Sequence, residues 1–266
     1  TAEYAHKLAK RVGEELNIPV YMYEAAATKP ERSNLAVIRA GEYEGFNEKI
    51  KLPEWKPDYG PSVFNIRSGA TVIGARKILV AYNVNLNTTS ERRANSVAFD
   101  VREQGRIKRA NDDPAGAVIK DENNEPIRIP GKCKAVKGIG WYIPEYGIAQ
   151  VSMNLTDTEL TPLHIAFEAC VESAHARGMR VTGSELVGLV PKSVLIDAGK
   201  YFLEKQQRST GISDEEIIHI AIKSMGLDDL TPFDPRKKVI EYCMEDEGSH
   251  PLVAMSLKKF AMETAS

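Results

Sequence analysis

One stretch of the chain alternates between apolar and polar residues, and this pattern constrains the fold more than any other feature. In "AQVSMNLT" (149–156) the apolar side chains are Ala149, Val151, Met153 and Leu155. The polar side chains between them are Gln150, Ser152 and Asn154. A period of two is that of a β-strand with one face in the core. The stretch therefore predicts a sheet whose second face is polar.

The elements around this strand follow the order βαββαβ. Strand signals lie at 77–86, 133–143, 148–156 and 180–188, and helix signals lie at 89–105 and 162–177. The first of these helices has Thr89 or Ser90 as its N-cap and Gly105 at its end. The order predicts an α+β fold, a ferredoxin-like two-layer sandwich in which an antiparallel sheet packs both helices on one face.

Other elements flank this sandwich. Residues 1–17 predict a helix, 19–24 a strand, and 32–51 one or two helices broken near Gly41. The segment 52–70 holds three prolines and is predicted to be irregular. Two more helices are expected at 191–206 and 214–225. We expect three parts: the remnant of a second, similar subdomain with a connecting segment at 1–76, the main subdomain at 77–242, and a polar tail at 243–266.

The composition limits the classes of function. With 266 residues, 42% of them hydrophobic, the chain can bury a substantial core. Its formal net charge of -2 gives no general attraction for nucleic acid or an anionic membrane. No segment approaches the roughly 18 apolar residues of a membrane span, and the first residues predict an amphipathic helix rather than a signal peptide. We therefore expect a cytoplasmic protein that binds neither nucleic acid nor membranes.

The residues that often ligate metals give no strong site. The cysteines are Cys133, Cys170 and Cys243, and their wide spacing favours free thiols over disulfides or a zinc site. One helix stripe carries His164, Glu168, Glu172 and His175. It contains the Glu-x-x-His step of di-iron bundles, but its opposite stripe is apolar, which favours a solvated polar face. No metal is expected.

The polar face of the sheet is the first candidate for a functional surface. By alternation, Asn83 and Asn85 share a side of the strand at 77–86. The corresponding side of the strand at 148–156 carries Gln150, Ser152 and Asn154. The same reasoning assigns Gly138 and Gly140 to an open face that a ligand or second domain approaches closely. These residues predict the wall of a polar groove, and an ordinary solvated sheet face remains the alternative.

Several phrases of the sequence are specific enough to indicate a family. They are "RAGEYEG" (39–45), "PEWKPDYGP" (53–61), "GATVIGARK" (69–77), "YNVNL" (82–86), "VREQGR" (101–106), "KGIGWY" (137–142), "GSELVGLVP" (183–191) and "PFDPRKKVIEY" (232–242). In this order they resemble the glutamate formimidoyltransferase family, which includes the formiminotransferase domain of formiminotransferase-cyclodeaminase. The resemblance runs from Thr1 to about Tyr242.

This resemblance implies a fold and a reaction. In the family, two βαββαβ-like subdomains face each other, and a tunnel between their sheets holds a folate, often with a polyglutamate tail. The implied reaction moves a formimino group from N-formimino-L-glutamate to N5 of tetrahydrofolate, a step of histidine degradation. Tetrahydrofolate is then a co-substrate, no metal is needed, and the family forms homodimers. The row of amides would line the tunnel.

The resemblance also implies folate-binding residues. One group is Gly60, Pro61, Ser62, Val63, Phe64, Asn65, Ile66, Arg67, Ser68 and Gly69; the other is Gly131, Lys132 and Cys133. A loop rich in Gly and Pro lets backbone groups reach the hydrogen-bonding edge of a flat pterin. Lys132 or Arg67 would meet glutamyl carboxylates.

The sequence departs from the family in two places. The family's catalytic histidine lies in a His-Pro-Arg-x-Gly phrase that this sequence does not contain; "SHPLV" around His250 lacks the Arg and Gly. No catalytic residue is therefore assigned, and we expect the general base to lie in an upstream segment. In addition, about twenty residues within 106–130 exceed the shortest family members. Their Gly, Pro, Asn and charges predict a mobile excursion.

Two other functions remain as alternatives. One is an inactive homologue that binds folate or serves in assembly, which the missing histidine would favour. The other is an RNA-binding ferredoxin-like module, which needs aromatic residues on the free sheet face. Alternation places Trp141 on the side opposite Gly138 and Gly140, and Tyr82 on the side opposite Asn83. The RNA-binding module is therefore the less favoured alternative.

Overall fold

The computed structural model describes residues 1–113 and 115–248, and the chain divides after Lys77 into two units. The elements of the first unit are α1 (Ala2–Glu15), β1 (Val20–Glu24), α2 (Leu35–Arg39), α3 (Glu42–Lys49) and β2 (Thr71–Ala75). Strands β1 and β2 pair in parallel. Gly41, with φ 87°, separates α2 from α3, which confirms the predicted break.

Strand β1 has a hydrophobic cluster on each of its faces. Val20 and Met22 pack with α1 residues Ala5 and Ala9, while Tyr21 packs on the other side with a second cluster. That second cluster contains Ile38, Phe46 and Ile50. Burying one such side chain stabilises the fold by about 1.5–3 kcal/mol. Strand β2 was not predicted, because glycine at Gly74 weakens a strand signal; Tyr23 occupies the space that a Cβ would fill there.

The second unit begins with β3 (Val80–Leu86) and α4 (Glu91–Val101). Its next strands are β4 (Arg106–Ile107), β5 (Arg128–Ile129), β6 (Val136–Ile143) and β7 (Ile148–Leu155). It continues with α5 (Leu163–His175), β8 (Val181–Val187), α6 (Lys192–Lys205), α7 (Asp214–Met225), α8 (Pro235–Lys238) and α9 (Ile240–Gly248). The main sheet has the order β6-β7-β3-β8, and every neighbouring pair is antiparallel. The α+β class is confirmed.

One face of this sheet packs against helices. Tyr82 and Val84 of β3 and Val151 of β7 belong to the same buried cluster as Val97 of α4 and Phe167 of α5. Ser90 is the N-cap of helix α4, and its side chain accepts from Arg93 N, as predicted. The helix ends at Val101 rather than near Gly105, because Arg102 is extended. The helix-covered face leaves the other side of the sheet for the polar residues.

The predicted excursion at 106–130 contains a small antiparallel pair. In it, Arg106 of β4 is opposite Ile129 of β5. Arg106 also donates to the Asp100 carboxylate and to Ser96 O of α4, the latter at 3.2 Å. At the base, a Cβ on Gly105 would overlap Ile129 O. Glycine is therefore what lets the two ends of the excursion approach each other.

The C-terminal helices partly agree with the sequence prediction. Helices α6 and α7 were predicted, and α7 begins with a Ser213–Glu216 capping box. The predicted polar tail at 243–266 starts inside α9, and residues 249–266 lie outside the described residues. None of the helices in the described part of the chain is long and apolar enough to cross a membrane.

Candidate functional site

The sheet of the second unit brings the predicted amides together on the face away from α4 and α5, here called the polar face. The register pairs Asn85 with Gln150 and Asn83 with Ser152. Asn85 and Gln150 are fully buried, Ser152 is half-buried, and Asn154 is exposed. The burial of the polar side chains therefore decreases along the row, from a buried end near Asn85 to a solvent-exposed end at Asn154. An evenly solvated sheet face would not show this gradient.

The buried end of the row is a chain of hydrogen bonds. Asn85 Nδ2 donates to Asp229 Oδ2 at 2.9 Å, and Gln150 Nε2 donates to Asn85 Oδ1 at 2.7 Å. Because an ionised carboxylate only accepts, Asp229 fixes the orientation of both amides in turn. Gln150 Oε1 is left as a buried acceptor with no donor. Asp229 was not predicted from the sequence, because it follows α7 and belongs to no alternating pattern. Its side chain packs directly over Gly183, where a Cβ would overlap it.

The assignment of Gly138 and Gly140 to this face was wrong. They pair with Met153 and Val151, whose side chains lie in the helix-side core. A Cβ on Gly140 would overlap Asn95 N of α4. Glycine is present on this strand because a helix backbone comes close, and alternation alone does not distinguish a close helix from an open groove.

The same register corrects the placement of the aromatic residues. Trp141 pairs with Gln150 and is 44% exposed on the polar face, contrary to its predicted side. Tyr82 is fully buried in the helix-side core, as alternation predicted. The polar face thus carries one exposed aromatic ring beside the buried amides.

The first unit contains a pocket of about 360 Å³, here called the aromatic pocket. It is lined by Tyr21, Ile38, Arg39, Glu42, Tyr43, Phe46, Ser68, Gly69, Ala70 and Val72. The Tyr21 hydroxyl donates to Trp55 O at 2.5 Å, and burial raises the pKa of Tyr21 to about 12. The wall therefore carries the phenol rings of Tyr21 and Tyr43 and the phenyl ring of Phe46, and the lining also holds one guanidinium and one carboxylate. Its volume is within the range of small-molecule sites.

The predicted folate loop at 60–69 forms part of this pocket through Ser68 and Gly69. Phe64 packs its ring against Tyr43 and Phe46, at centroid distances of 5.3 and 5.8 Å. The Tyr43 hydroxyl donates to Ile66 O at 2.5 Å. These contacts attach the middle of the loop to α3. The loop also exposes apolar surface: Val63 is 69% and Ile66 78% exposed.

The turn that ends the loop is held by Asn65. Its Oδ1 accepts from Arg67 N at 3.0 Å and from Ser68 N at 3.2 Å. Gly69 N donates to Asn65 O at 2.7 Å, and Gly69 has φ 61°. Glycine adopts this left-handed conformation without the strain that a Cβ causes. The turn places Gly69 next to the Tyr43 ring, 3.3 Å from where a Cβ would lie.

The second predicted group, 131–133, lies beside the end of α4. Gly131 lies so close to the Arg102 backbone that a Cβ on Gly131 would overlap Arg102 O. Lys132 Nζ is 2.6 Å from the Glu172 carboxylate, so its charge already has a partner. Cys133 is buried in the core cluster, and burial raises the pKa of its thiol. Only the backbone of this segment and the Lys132 ammonium are therefore suited to a ligand contact, which stays a prediction.

The polar stripe of α5 differs from the predicted solvated face. His164 is buried and stacks on Tyr201 with ring centroids 4.4 Å apart. Glu168 pairs with Lys205. In residues 1–113 and 115–248, no group of three or more His, Cys, Asp or Glu side chains is placed to hold a metal ion. The three thiols are free, as predicted.

His164 predicts a pH dependence of stability. Burial lowers the pKa of this imidazole below 6.5, outweighing the opposite effects of Asp197 and Glu168. The unfolded chain then binds the proton more readily than the folded chain. The contribution of His164 to the free energy of unfolding is therefore fully present above pH 6.5 and is lost as the pH falls below that value toward the lowered pKa. We expect the urea midpoint to drop less between pH 7 and pH 5 in His164→Phe than in the unchanged chain. The exposed His175→Phe on the same helix is the control and should keep the full drop; equal drops in all three proteins would contradict the prediction.

Comparison with known proteins decides the family. Residues 1–76 match the family described as "Formiminotransferase domain, N-terminal subdomain", and residues 81–245 match the family described as "Formiminotransferase domain". The chain belongs to the formiminotransferase family. The boundary between the two matches lies within a few residues of the division after Lys77 in the structure. The family implied by the phrases of the sequence is thus confirmed.

Relatives in this family come from distant organisms. The chain is 43% identical over 263 residues to formimidoyltransferase-cyclodeaminase of Mus musculus, covering 98% of this chain and 45% of the relative. It is 41% identical over 202 residues to glutamate formimidoyltransferase of Thermoplasma acidophilum, covering 75% of this chain and 58% of that protein. The protein of that name from Streptococcus pyogenes serotype M1 is 37% identical over 202 residues, with 76% and 59% covered. The chain thus spans less than two thirds of each of these relatives.

Proposed function

We propose that this formiminotransferase chain binds tetrahydrofolate and acts in the transfer of a formimino group from N-formimino-L-glutamate to N5 of that folate. The observation that carries the proposal is the pair of family matches along residues 1–76 and 81–245. Relatives that match most of the chain are named as formimidoyltransferases. The corresponding process is histidine degradation, in a cytoplasmic homodimer.

The aromatic pocket is the proposed contact for the pterin ring. Tyr43 and Phe46 present ring surface for a flat heterocycle, and aromatic contacts of this kind contribute about 0.5–1.5 kcal/mol beyond buried area. The Glu42 carboxylate is placed to accept from the pterin's adjacent N–H donors, while Arg39 would meet an acidic group. The loop at 60–69 brings Ser68 and Gly69 to the same wall.

The reaction itself requires positioning and proton transfer. The N5 amine attacks the formimino carbon, the bond from that carbon to the glutamate nitrogen breaks, and a proton passes from N5 to the leaving nitrogen. Orienting the two reactants supplies much of the rate in such transfers. Neither His6, hydrogen-bonded to Tyr59 at 3.0 Å, nor the buried His164 is assigned to the proton transfer. The proposed role of this chain is therefore to bind and orient the folate, with no metal.

The fold of the second unit supports the same proposal. We infer a ferredoxin-like arrangement from its strand order β6-β7-β3-β8 and from α4 and α5 on one face. The polar face, with Asn83, Asn85, Gln150, Ser152 and Asn154, is then the predicted ligand surface. RNA binding is less favoured, because stacking surfaces use two or three aromatic rings, and Trp141 is the only exposed aromatic ring among the described residues of this face. An inactive folate-binding homologue would bind folate without transfer.

Folate binding tests the proposed contact. In a Trp141→Phe background, the remaining Trp55 ring lies 6.3 Å from the Tyr21 ring of the pocket and reports on it. We expect 5-formyltetrahydrofolate, a stable reduced folate, to change this fluorescence saturably. Tyr43→Leu removes the ring and its bond to Ile66 O, and should weaken binding by about tenfold, equivalent to about 1.4 kcal/mol.

The control for this experiment is Tyr4→Leu, the same substitution at an exposed position of α1. It should leave the affinity unchanged. Equal affinities in the two variants, or no saturable binding to the unchanged chain, would refute the assignment of the pocket. Release of glutamate from N-formimino-L-glutamate in the presence of tetrahydrofolate would rule out the inactive folate-binding homologue.

A further inference from the structure

A second cleft, here called the arginine cleft, lies between α4 and the pair of strands β4 and β5. Its volume is about 840 Å³. It is lined by Arg92, Asn95, Ser96, Phe99, Arg102, Arg106, Ile107, Arg109, Asp113, Arg128 and Ile129. The lining thus holds five arginines and one carboxylate. The chain as a whole has a net charge of -2, so this concentration of positive charge is local.

Three of the five guanidinium groups are held in place by neighbouring atoms. Arg102 donates to Gly105 O at 3.1 Å and to Gly138 O at 3.2 Å. Arg106 pairs with Asp100, and Arg109 donates to Gly116 O at 2.8 Å. Backbone carbonyls fix a guanidinium without neutralising its charge. Of these three arginines, only Arg106 has a full negative charge as its partner.

The other two guanidinium groups, those of Arg92 and Arg128, have no side-chain partner among the described residues. In the described part of the chain neither takes part in an ion pair or a side-chain hydrogen bond. Burial lowers the pKa of Arg102, and the nearby charge of Arg128 lowers it further. Like charges at close range are unfavourable unless a counter-charge is present. The structure therefore keeps several cations around one space with a single acidic residue, Asp113, in the lining.

We propose that the arginine cleft binds a small multivalent anion through carboxylate or phosphate groups. The planar guanidinium donates in a fork that matches both kinds of group, and charge-assisted bonds of this type are about twice as strong as neutral ones. The cleft has the size of a small-molecule site. Its lining also offers the apolar side chains of Phe99, Ile107 and Ile129 to a carbon skeleton.

This site lies apart from the polar face and the aromatic pocket, and it adjoins the predicted group 131–133, because Gly131 packs against Arg102 of the cleft. Helix α4 covers the sheet face opposite the polar face, and the aromatic pocket belongs to the first unit. The inference does not depend on the proposed function: an anion can bind here whether or not the chain binds folate. The reverse also holds, so the failure of one proposal leaves the other intact.

Titration calorimetry on the full chain tests the proposal with two probes, tripolyphosphate and citrate. We expect saturable binding of at least one probe, weakened when ionic strength rises to about 0.15 M, because salt screens exposed charges. Binding of tripolyphosphate alone would indicate a phosphate-bearing ligand, and binding of citrate alone a polycarboxylate. The double variant Arg92→Gln and Arg128→Gln should weaken binding by about tenfold or more.

The matched control is the double variant Arg180→Gln and Arg208→Gln, which removes two exposed arginines of the same unit outside the cleft. It has the same net charge as the cleft variant and should keep the affinity. Equal weakening in both variants would reduce the effect to general charge and overturn the site. The proposal would also be overturned if neither probe bound saturably. A result in which a single-stranded RNA binds and neither small anion does would count against it in the same way.

Discussion

Asp58→Asn should destabilise the first unit by about 3–5 kcal/mol, the usual result of removing one partner from a buried ion pair. Arg32 is 1% exposed, and its Nη1 lies 2.9 Å from Asp58 Oδ2. Asp58 also accepts from Met22 N at 2.8 Å. Asparagine has nearly the same shape but no charge, so the variant leaves a guanidinium buried without its counter-ion.

The surroundings of Arg32 explain why the loss is large. Its Nη2 donates to Glu54 O at 2.7 Å and to Lys56 O at 2.8 Å. Its guanidinium lies 5.0 Å from the centre of the Tyr21 ring and 5.6 Å from that of Trp55. The residue thus connects β1 to the irregular segment before the folate loop. A shift of Arg32 toward solvent would disturb both Tyr21, a wall of the aromatic pocket, and that segment.

Urea unfolding followed by Trp55 fluorescence, in the Trp141→Phe background, measures this effect. Glu15→Gln is the control, because it breaks the exposed pair between Arg11 and Glu15 on α1. Exposed pairs contribute little, so the control midpoint should stay near that of the unchanged chain. A midpoint for Asp58→Asn equal to the control would show that the buried pair does not hold the unit together.

The sequence predicted those features of the fold that depend on local pattern. The alternation in β3 and β7 placed Asn85 and Gln150 on one face, and the register makes them direct neighbours. The break at Gly41 and the N-cap at Ser90 follow from the chemistry of single residues. Such features need no knowledge of which element packs against which, and this is why one sequence sufficed for them.

Features that depend on distant partners were not predictable in this way. The bond from Asn85 to Asp229 joins residues 144 positions apart, and no period in the sequence relates them. The aromatic pocket likewise assembles Tyr21, Tyr43 and Gly69 from separate elements. The phrases shared with the family drew attention to 60–69, but the reason that Ser68 and Gly69 reach a pocket is the packing of Phe64 on α3. Tertiary contacts therefore decided the site.

The two glycines of β6 illustrate this limit and give the second large prediction. Gly138 and Gly140 share the helix-facing side of one strand, and their surroundings differ. At Gly138 the nearest atom to a new Cβ is Met153 Cγ at 3.3 Å, the movable part of a flexible side chain. At Gly140 it would overlap the backbone of α4 at Ala94 and Asn95. Only the second substitution forces a helix away from the sheet.

Gly140→Ala is expected to destabilise the second unit by about 3 kcal/mol or more. Overpacking of a core costs about 1–3 kcal/mol, and the shift would also strain two hydrogen bonds at about 0.5–1.5 kcal/mol each. These bonds join the Asn95 amide to Gly140 O at 2.9 Å and to Gly140 N at 3.0 Å. Gly138→Ala should change stability by less than about 1 kcal/mol, since Met153 can move and alanine suits a strand better than glycine.

Urea unfolding followed by circular dichroism compares the two alanine variants directly. Both variants make the same substitution on the same strand, so the difference in strand propensity between glycine and alanine is the same in each. The variable that differs is the distance from the new Cβ to α4. If Gly140 instead bordered an open groove, its alanine variant would unfold like that of Gly138 and would lose affinity for a ligand of the polar face. A large loss of stability at Gly140 alone therefore separates a helix contact from a ligand contact at this strand.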